Sequence, residues 1–457
     1  MSQGHIAEMS AQYLVDIASA VPLGFKQTEV GVIPEDWLIE QLENFTSFIS
    51  YGFTNPMPTT HSGPYMVTAR DISEGKIQYK SARNTDVEAF NKLLTSKSKP
   101  KKNDILLTKD GTLGRLALVE DELICINQSV AILRPNQRIT PTFFKLLLES
   151  PYYQERMIEE AGGSTIKHIY ITIVNRMPLA VPQNLKEQTA IANALSDVDT
   201  LVSEMEKLLA KKQAIKTATM QQLLTGRTRL PQFALHEDGT PKGAKPSELG
   251  EIPEDWDAIK MGDLARIQRG ASPRPIDSPI WFERNSTVGW LRISDVTKTS
   301  KYLTETTQSL SELGIANSRF VPENNLVMSI CATVGKPIIT KKDLCIHDGF
   351  VVFNGLSVNQ DFMYYILKEL EDEWSKQGQT GSQMNLNTDL INGTYVTVPK
   401  DAAEQIAIAT ILSDMDEEIQ TLEQRLGKTR QIKQGMMQEL LTGKTRLIKP
   451  SKEVIHE

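Results

Sequence analysis

The chain contains two copies of one long segment, and this internal duplication constrains its fold more than any other feature. Residues Glu187 to Leu230 match residues Glu404 to Leu447 at a constant offset of 217 without a gap, and about half of the positions are identical. A shorter motif, Ile-Pro-Glu-Asp-Trp, precedes each copy at 33–37 and 252–256. The chain is therefore built as a variable block and a repeated segment, followed by a second variable block and a second repeated segment.

Both repeated segments are predicted to be long helices with a hydrophobic seam. Their apolar residues are spaced 4-3-4-3-4, which is a heptad pattern, and a Thr-Gly pair at 225–226 and 442–443 is expected to end each helix. About 40 residues at 1.5 Å per residue give a helix of roughly 60 Å. The predicted seam residues are Ile191, Leu195, Val198, Val202, Met205 and Leu209 in the first copy and Ile408, Leu412, Met415, Ile419, Leu422 and Leu426 in the second.

A heptad seam needs an apolar partner, and the sequence offers two. Each helix could pack on its own variable block, or the two copies could pack against each other. The presence of two copies favours the second arrangement, most simply antiparallel, which would relate the halves by an approximate two-fold axis.

The variable blocks have the pattern of a mixed α+β fold. The first block contains β-rich runs at 105–108, 115–119, 129–133 and 178–182, with a helix predicted over Pro141–Glu160. The second block has the same order: β-rich runs at 326–330, 336–339, 349–353 and 394–399, with a helix near Asp361–Trp374. The two blocks are otherwise different in sequence, which indicates one fold carrying two different surfaces.

Composition excludes several classes of protein. A formal charge of −7 over 457 residues argues against a uniformly basic nucleic-acid coat protein, although a local basic face remains possible. Three scattered cysteines are too few for a disulfide framework. No apolar run is long enough to span a membrane, and the N-terminus lacks the pattern of a secretory signal, so a cytoplasmic protein is expected.

No catalytic or metal-binding constellation is predicted. The triplets Gly427-Lys428-Thr429 and Gly443-Lys444-Thr445 lack the preceding glycine of a phosphate loop and fall in or after a helix. The six histidines are dispersed, and Cys331, Cys345 and His347 lack a second ligand pair at zinc spacing. The sequence therefore favours a binding protein over an enzyme.

Basic and amide side chains in the variable blocks are the candidate DNA contacts. The first block has 18 basic and 15 acidic residues between 38 and 186, hence +3, and it concentrates its lysines just before and after the run at 105–108. Long basic side chains suit phosphate oxygens, and amides can reach base edges, although the same residues could form an ordinary solvated loop. The candidates are Lys97, Lys99, Lys101, Lys102, Lys109, Arg115, Lys167 and His168 in the first block and Arg269, Arg274, Arg292, Lys298, Gln379 and Gln383 in the second.

Several motifs together resemble the specificity (S) subunit of type I restriction-modification systems. They are Ile33-Pro34-Glu35-Asp36-Trp37 and its second copy, Asp104–Thr108 with Gly111–Arg115, Asn127-Gln128-Ser129, and the Val-Pro pairs at 181–182 and 398–399 that lead to Glu187-Gln188 and Glu404-Gln405. Each motif is weak alone, but jointly they cover the chain from about Gly31 to Leu447.

The resemblance implies an α+β chain with two α/β target recognition domains separated by two long antiparallel coiled-coil helices in a pseudo-two-fold arrangement. The domains expected are an N-terminal extension (1–30), recognition domain 1 (31–186), helical region 1 (187–230), a linker (231–249), recognition domain 2 (250–403), helical region 2 (404–447) and a C-terminal tail (448–457).

The resemblance also implies the function. Each recognition domain would read one half of a bipartite, asymmetric site in double-stranded DNA, and the helices would act as a spacer and dock two modification (methyltransferase) subunits. Restriction subunits would join the complex. The chain itself would carry no cofactor, while its partners would use S-adenosylmethionine, ATP and Mg²⁺. The alternative is a non-catalytic, bivalent coiled-coil scaffold whose variable blocks bind proteins.

Overall fold

The chain folds into two compact units. The computed structural model describes residues 21–120, 123–162, 167–377 and 386–448. Unit 1 comprises residues 1–205 and 425–457, and unit 2 comprises residues 206–424. Each unit therefore combines one variable block with the beginning of the repeated helix that follows it and the end of the other repeated helix.

Unit 1 is built from thirteen strands and four short helices among its described residues, together with parts of both long helices. The strands are β1 (Phe25–Thr28), β2 (Gly31–Pro34), β3 (Trp37–Gln41), β4 (Thr46–Tyr51), β5 (Thr60–Val67), β6 (Ile72–Ser73), β7 (Lys76–Ile77), β8 (Arg83–Asn84), β9 (Ile105–Thr108), β10 (Leu116–Leu118), β11 (Ile124–Ile126), β12 (Val130–Pro135) and β13 (Pro178–Pro182). The helices are α1 (Val87–Leu93), α2 (Pro141–Leu148), α3 (Pro151–Glu159), α4 (Ile171–Arg176) and the long α5 (Leu185–Leu224).

Two sheets form the body of unit 1. One has the antiparallel order β10-β9-β12-β4, and the other has the order β11-β5-β8, in which β11 runs parallel to β5. Side chains of β9 alternate between two cores: Ile105 and Leu107 pack with the helices, whereas Leu106 packs with residues of the second sheet. Because both faces of β9 are covered, its first three residues are all apolar, and Thr108 at its end is buried as well.

Unit 2 has the same arrangement, but each of its two main sheets has one more strand. Its strands are β14 (Ala244–Ser247), β15 (Gly250–Pro253), β16 (Trp256–Lys260), β17 (Arg266–Arg269), β18 (Gly289–Leu291), β19 (Tyr302–Leu303), β20 (Gln308–Ser309), β21 (Arg319–Val321), β22 (Leu326–Ser329), β23 (Pro337–Thr340), β24 (Leu344–Ile346), β25 (Phe350–Asn354) and β26 (Tyr395–Pro399). Its helices are α6 (Met261–Leu264), α7 (Ile293–Lys298), α8 (Glu312–Ala316), α9 (Gln360–Gln377), α10 (Thr388–Gly393) and the long α11 (Ala402–Leu440). The sheets have the orders β17-β25-β22-β23-β19 and β20-β18-β24-β21, and β18 runs parallel to β24.

The two long helices pair antiparallel within each unit. In unit 1, Lys433 of α11 forms an ion pair with Asp199 of α5 at 2.5 Å. In unit 2, the duplicated residues form the same pair, Lys216 with Asp416. All twelve predicted seam residues are buried or half-buried, as the pairing of the helices requires.

The fold class predicted from the sequence is confirmed, with local differences. The helix predicted over Pro141–Glu160 is two helices, because Pro151 has no N–H for a continuing helix and instead begins α3. The segment expected to be a solvated linker contains strand β14, and the predicted N-terminal extension contains β1. Each of these strands forms a hairpin with the strand that carries the Ile-Pro pair.

An arginine that follows each long helix ties the repeated motifs together. In unit 2, Arg229 donates to both oxygens of Glu404, which is 1% exposed, and to both oxygens of Asp255 in the Ile-Pro-Glu-Asp-Trp motif. In unit 1, Arg446 makes the same contacts with Glu187 and Asp36. The hydrogen bonds that Arg446 donates to Asp36 and Glu187 raise the pKa of Arg446 despite its partial burial. In both units, the repeated residues therefore have the same role, which is to join the start of a long helix to the Ile-Pro-Glu-Asp-Trp motif.

We expect Arg229→Ala and Arg446→Ala each to lower the free energy of unfolding by about 3 kcal/mol, because each leaves a buried glutamate without its counter-charge. Chemical denaturation of the full chain measures the effect. The control is Lys92→Ala, which removes an ion pair whose side chains are 71% exposed and should change stability by less than about 0.5 kcal/mol. Equal effects of the three substitutions would contradict a structural role for the arginines.

Candidate DNA-recognition clefts

A cleft lined by both polar and apolar side chains opens in unit 1 where the parallel strands β5 and β11 end. We call it cleft 1. Its volume is about 840 Å³, and Thr68, Arg70, Arg83, Asp110 and Asn127 are among the residues that line it. The segments that follow the two strands supply Thr68, Arg70 and Asn127, so the parallel pairing brings together residues that are far apart in the chain.

Unit 2 has a cleft at the corresponding ends of its parallel strands β18 and β24. We call it cleft 2. It measures about 450 Å³ and is lined by Arg292, Ile293, Ser294, Thr307, Gln308 and His347.

Strand register defines which positions of the two clefts correspond. Met66 of β5 pairs with Cys125 and Arg83, and Trp290 of β18 pairs with Cys345 and Gln308. Gln308 of cleft 2 therefore occupies the position of Arg83 in cleft 1. By the same register, Asn127 and His347 correspond, since each stands two residues after the paired cysteine.

The turn after the first parallel strand is held by a buried aspartate in both units. Asp71 accepts hydrogen bonds from Thr68 N at 2.9 Å and from the Ser81 hydroxyl at 2.8 Å. Asp295 accepts from Arg292 N at 3.0 Å and from the Thr307 hydroxyl. Both carboxylates accept hydrogen bonds within the protein, and these bonds hold the wall of each cleft in place.

The turn after the second parallel strand also has the same design with different residues. Asn127 Oδ1 accepts from Ser129 N at 3.2 Å, and His347 Nδ1 accepts from Gly349 N at 2.9 Å. Burial lowers the pKa of His347, which the nearby Arg292 reinforces and Asp348 opposes. The neutral ring that results carries its proton on Nε2, because Nδ1 is an acceptor.

A glycine allows the strand before each cleft to approach this turn. A Cβ on Gly52 would lie 1.8 Å from the Ile126 carbonyl oxygen, and a Cβ on Gly270 would lie 2.0 Å from the His347 carbonyl oxygen. Any larger residue would force the backbone apart.

The lysine-rich segment of unit 1 is divided between the two ends of β9. Lys109 and Arg115 lie at the end that faces cleft 1, whereas Lys101 and Lys102 precede β9 at its other end. Lys109 forms an ion pair with Asp110 at 2.9 Å, and Arg115 donates to the Ile72 carbonyl at 3.0 Å.

The other candidates of unit 1 are also dispersed. His168 Nδ1 lies 2.5 Å from Asp110, next to the exposed Lys167. Burial raises the pKa of Asp110, but hydrogen bonds from His168 and Lys109 outweigh it and the pKa is lowered. Lys97 lines a neighbouring cavity, and Lys99 lies over the Phe90 ring at 4.7 Å.

In unit 2, Arg292 lines cleft 2, whereas Arg269 and Arg274 contact Asp348, the residue that follows His347. Arg269 donates to the Asp348 carbonyl at 2.6 Å, and Arg274 lies 3.4 Å from the Asp348 carboxylate. Arg292 lines the cleft itself and donates to Gln308 Oε1 at 2.8 Å. Lys298 is exposed at the end of α7, and Gln379 and Gln383 lie outside the described residues.

Sequence reasoning missed Arg70, Arg83, Asn127, Gln308 and His347 as cleft residues. The signal for Arg70 was present in the pair of segments Thr68-Ala69-Arg70-Asp71 and Arg292-Ile293-Ser294-Asp295, which share the aspartate after a short strand. Arg83 had no comparable signal, because its strand has only two residues.

Within residues 21–120, 123–162, 167–377 and 386–448, no group of three or more His, Cys, Asp or Glu side chains is arranged to hold a metal ion. Burial raises the pKa of the Cys125 thiol to about 12 and that of Cys345 to about 11, so both stay protonated near neutral pH. Among the helices of this part of the chain, none has the length and hydrophobicity needed to cross a bilayer.

Two units with one fold and two clefts lined by different residues define a bivalent recognition protein. The profile of the type I restriction modification DNA specificity domain matches residues 58–217 and 253–434. The chain belongs to this family, and the resemblance to type I specificity subunits is confirmed. The match favours DNA recognition over a protein-binding scaffold.

Relatives span nearly the whole chain. A putative type I restriction enzyme MjaX specificity subunit of Methanocaldococcus jannaschii is 25% identical over 445 residues, covering 93% of this chain and 97% of the relative. The MjaVIII specificity subunit of the same organism is 24% identical, covering 93% and 96%. The crystal structure of a type I S subunit from M. genitalium superposes with a TM-score of 0.55 at 16% identity, covering 88% and 96%, which indicates a shared fold.

We expect the thermal stability of the chain to fall as the pH drops below about 6.5, in part because His347 must remain neutral in the folded state. The sign follows from the lowered pKa: between the folded and unfolded pKa values, the unfolded state binds more protons. His347→Asn should reduce this slope, since Asn127 makes the equivalent acceptor bond in unit 1. Melting temperatures of both proteins from pH 7.5 to 5.5 measure the difference, and identical slopes would refute the assignment.

Proposed function

We propose that this chain is the sequence-specificity subunit of a type I restriction-modification complex and that each unit reads one half of a bipartite, asymmetric DNA site through its cleft. The observation that carries the proposal is the corresponding position of clefts 1 and 2 combined with their different residues. The shared position of the two clefts supports the same function in both units, and their different side chains support different DNA sequences as targets.

The cleft chemistry supports duplex DNA as the ligand. Arginine and the amide side chains of Asn and Gln are the groups that discriminate base edges in the major groove. Cleft 1 offers Arg70, Arg83 and Asn127, and cleft 2 offers Arg292, Gln308 and His347. Their mixture of donors and acceptors suits base edges better than it suits phosphates alone.

The charge balance supports a division of labour with partner subunits. A chain of net charge −7 has little general attraction for DNA, so its own contacts serve reading while larger partners supply affinity. We propose that the long helices act as a spacer and dock two modification subunits, which use S-adenosylmethionine, and that restriction subunits using ATP and Mg²⁺ join them.

Exchange of the recognition blocks tests the proposal, and the structure supplies the boundaries. Leu42 N donates to the Met177 carbonyl at 2.9 Å, and Met261 N donates to the Thr394 carbonyl at 3.0 Å. In each unit, one backbone hydrogen bond therefore joins the first residue of the recognition block to the last. Residues 42–177 can therefore be replaced by the corresponding block of a relative without cutting β3 or β13.

We expect replacement of 42–177 to change one half of the target site and leave the other half unchanged, because each cleft lies within its own block. Sequencing of methylated adenines in DNA treated with the reconstituted complex maps both halves. The matched control is replacement of 261–394, which should change only the other half. A change of both halves by one exchange, or of neither by either exchange, would contradict independent reading.

A further inference from the structure

Two arginines of cleft 1 have no partner among the residues that the structure describes. Arg70 and Arg83 both line the cleft and are exposed, and neither guanidinium has a hydrogen bond or an ion pair with any described residue. A guanidinium carries five N–H donors in a fixed planar geometry. In cleft 1 these donors are available to a ligand.

The other charges of the cleft are already engaged. Asp71 accepts hydrogen bonds from Thr68 and Ser81, and Asp110 is shared between Lys109 and His168. The two arginines are therefore the positive groups of the cleft that its own acidic residues leave unpaired.

The backbone at both arginines is fixed by hydrogen bonds. Arg83 belongs to β8 and pairs with Met66, and its neighbour Asn84 donates to the Gly63 carbonyl at 2.7 Å. Arg70 lies inside the turn that Asp71 closes. Because the backbone is already fixed at both positions, ligand binding has to order only the side chains.

Unit 2 has different groups at the same places. Gln308 corresponds to Arg83 by strand register, and Ser294 corresponds to Arg70 by the shared turn. Gln308 also accepts a hydrogen bond from Arg292, whereas the side chain of Arg83 has no such partner in the described part of the chain. The arginine pair is thus a property of one cleft and not of the common fold.

We infer that Arg70 and Arg83 recognise guanine in the half-site read by unit 1, an inference that rests on the proposed function. Arginine donates two parallel hydrogen bonds to O6 and N7 of guanine, a pair of acceptors that only guanine presents in the major groove. The same position in unit 2 carries a glutamine, so that half-site does not share this guanine requirement.

The test compares single variants of the full chain in the reconstituted complex with its modification subunit. Arg83→Gln introduces the residue found in unit 2, and Arg70→Ser does the same at the second position. The target of the unmodified complex, mapped from methylated adenines, is expected to contain guanine in the unit 1 half. Each variant should lose about tenfold to a hundredfold of the preference for guanine at one position of that half.

Two further measurements make the result specific. The unit 2 half-site should be unchanged in both variants, and Lys92→Gln, which removes an exposed charge of α1 outside the cleft, should leave both halves as in the parent. Melting temperatures close to that of the parent would show that the variants fold.

Three outcomes would overturn the inference. One is a unit 1 half-site without guanine, and another is variants whose guanine preference equals that of the parent. The third is a uniform loss of affinity for all sequences with a smaller salt slope, which would mark the arginines as phosphate contacts. Failure of the proposed function itself would look different, since the unmodified complex would then methylate no defined sequence.

Discussion

The arginine bridges of Arg229 and Arg446 are the contacts on which the rest of each unit depends. Each guanidinium joins a glutamate that begins one long helix to an aspartate that begins a recognition block, and it does so from the segment that follows the other long helix. A glycine makes this possible: Gly226 and Gly443 adopt φ near +70°, and a Cβ on either would lie 2.5 Å from the proline of the Ile-Pro pair. The residues that recur in the sequence are thus the residues that meet in space.

The repeated contacts leave the recognition blocks free to differ. Strands such as β9 and β22 are covered on both faces, so their side chains are constrained by packing, and the first three residues of each strand are apolar. The turns beyond the strands are held by hydrogen bonds that several residue types can make, as Asn127 and His347 illustrate. Stability and recognition are therefore carried by different positions, which allows cleft residues to change without disturbing the core.

The sequence predicted the long helices, their seams and the apolar strands, because these depend on local periodicity. Strands β9 and β13 have the predicted bounds. The cleft could not be predicted, since its walls come from β5, β8 and β11, which are short or interrupted: β5 contains Gly63-Pro64, and β8 has two residues. The division of the lysine-rich segment has a related cause, because the four-residue strand β9 separates Lys101 from Lys109 by its full length.

The difference between paired and unpaired basic residues explains how a chain of net charge −7 can bind DNA. Lys109, Lys216, Lys433, Arg229 and Arg446 are all engaged by carboxylates within their own units, so they add to stability and present little field to a ligand. Arg70 and Arg83 are only two residues, but neither is paired with any residue that the structure describes, and both line a concave site. A ligand that is read through a small number of oriented donors is selected by geometry more than by charge. An acidic chain and a DNA-reading cleft are therefore compatible, provided that affinity comes from elsewhere in the complex.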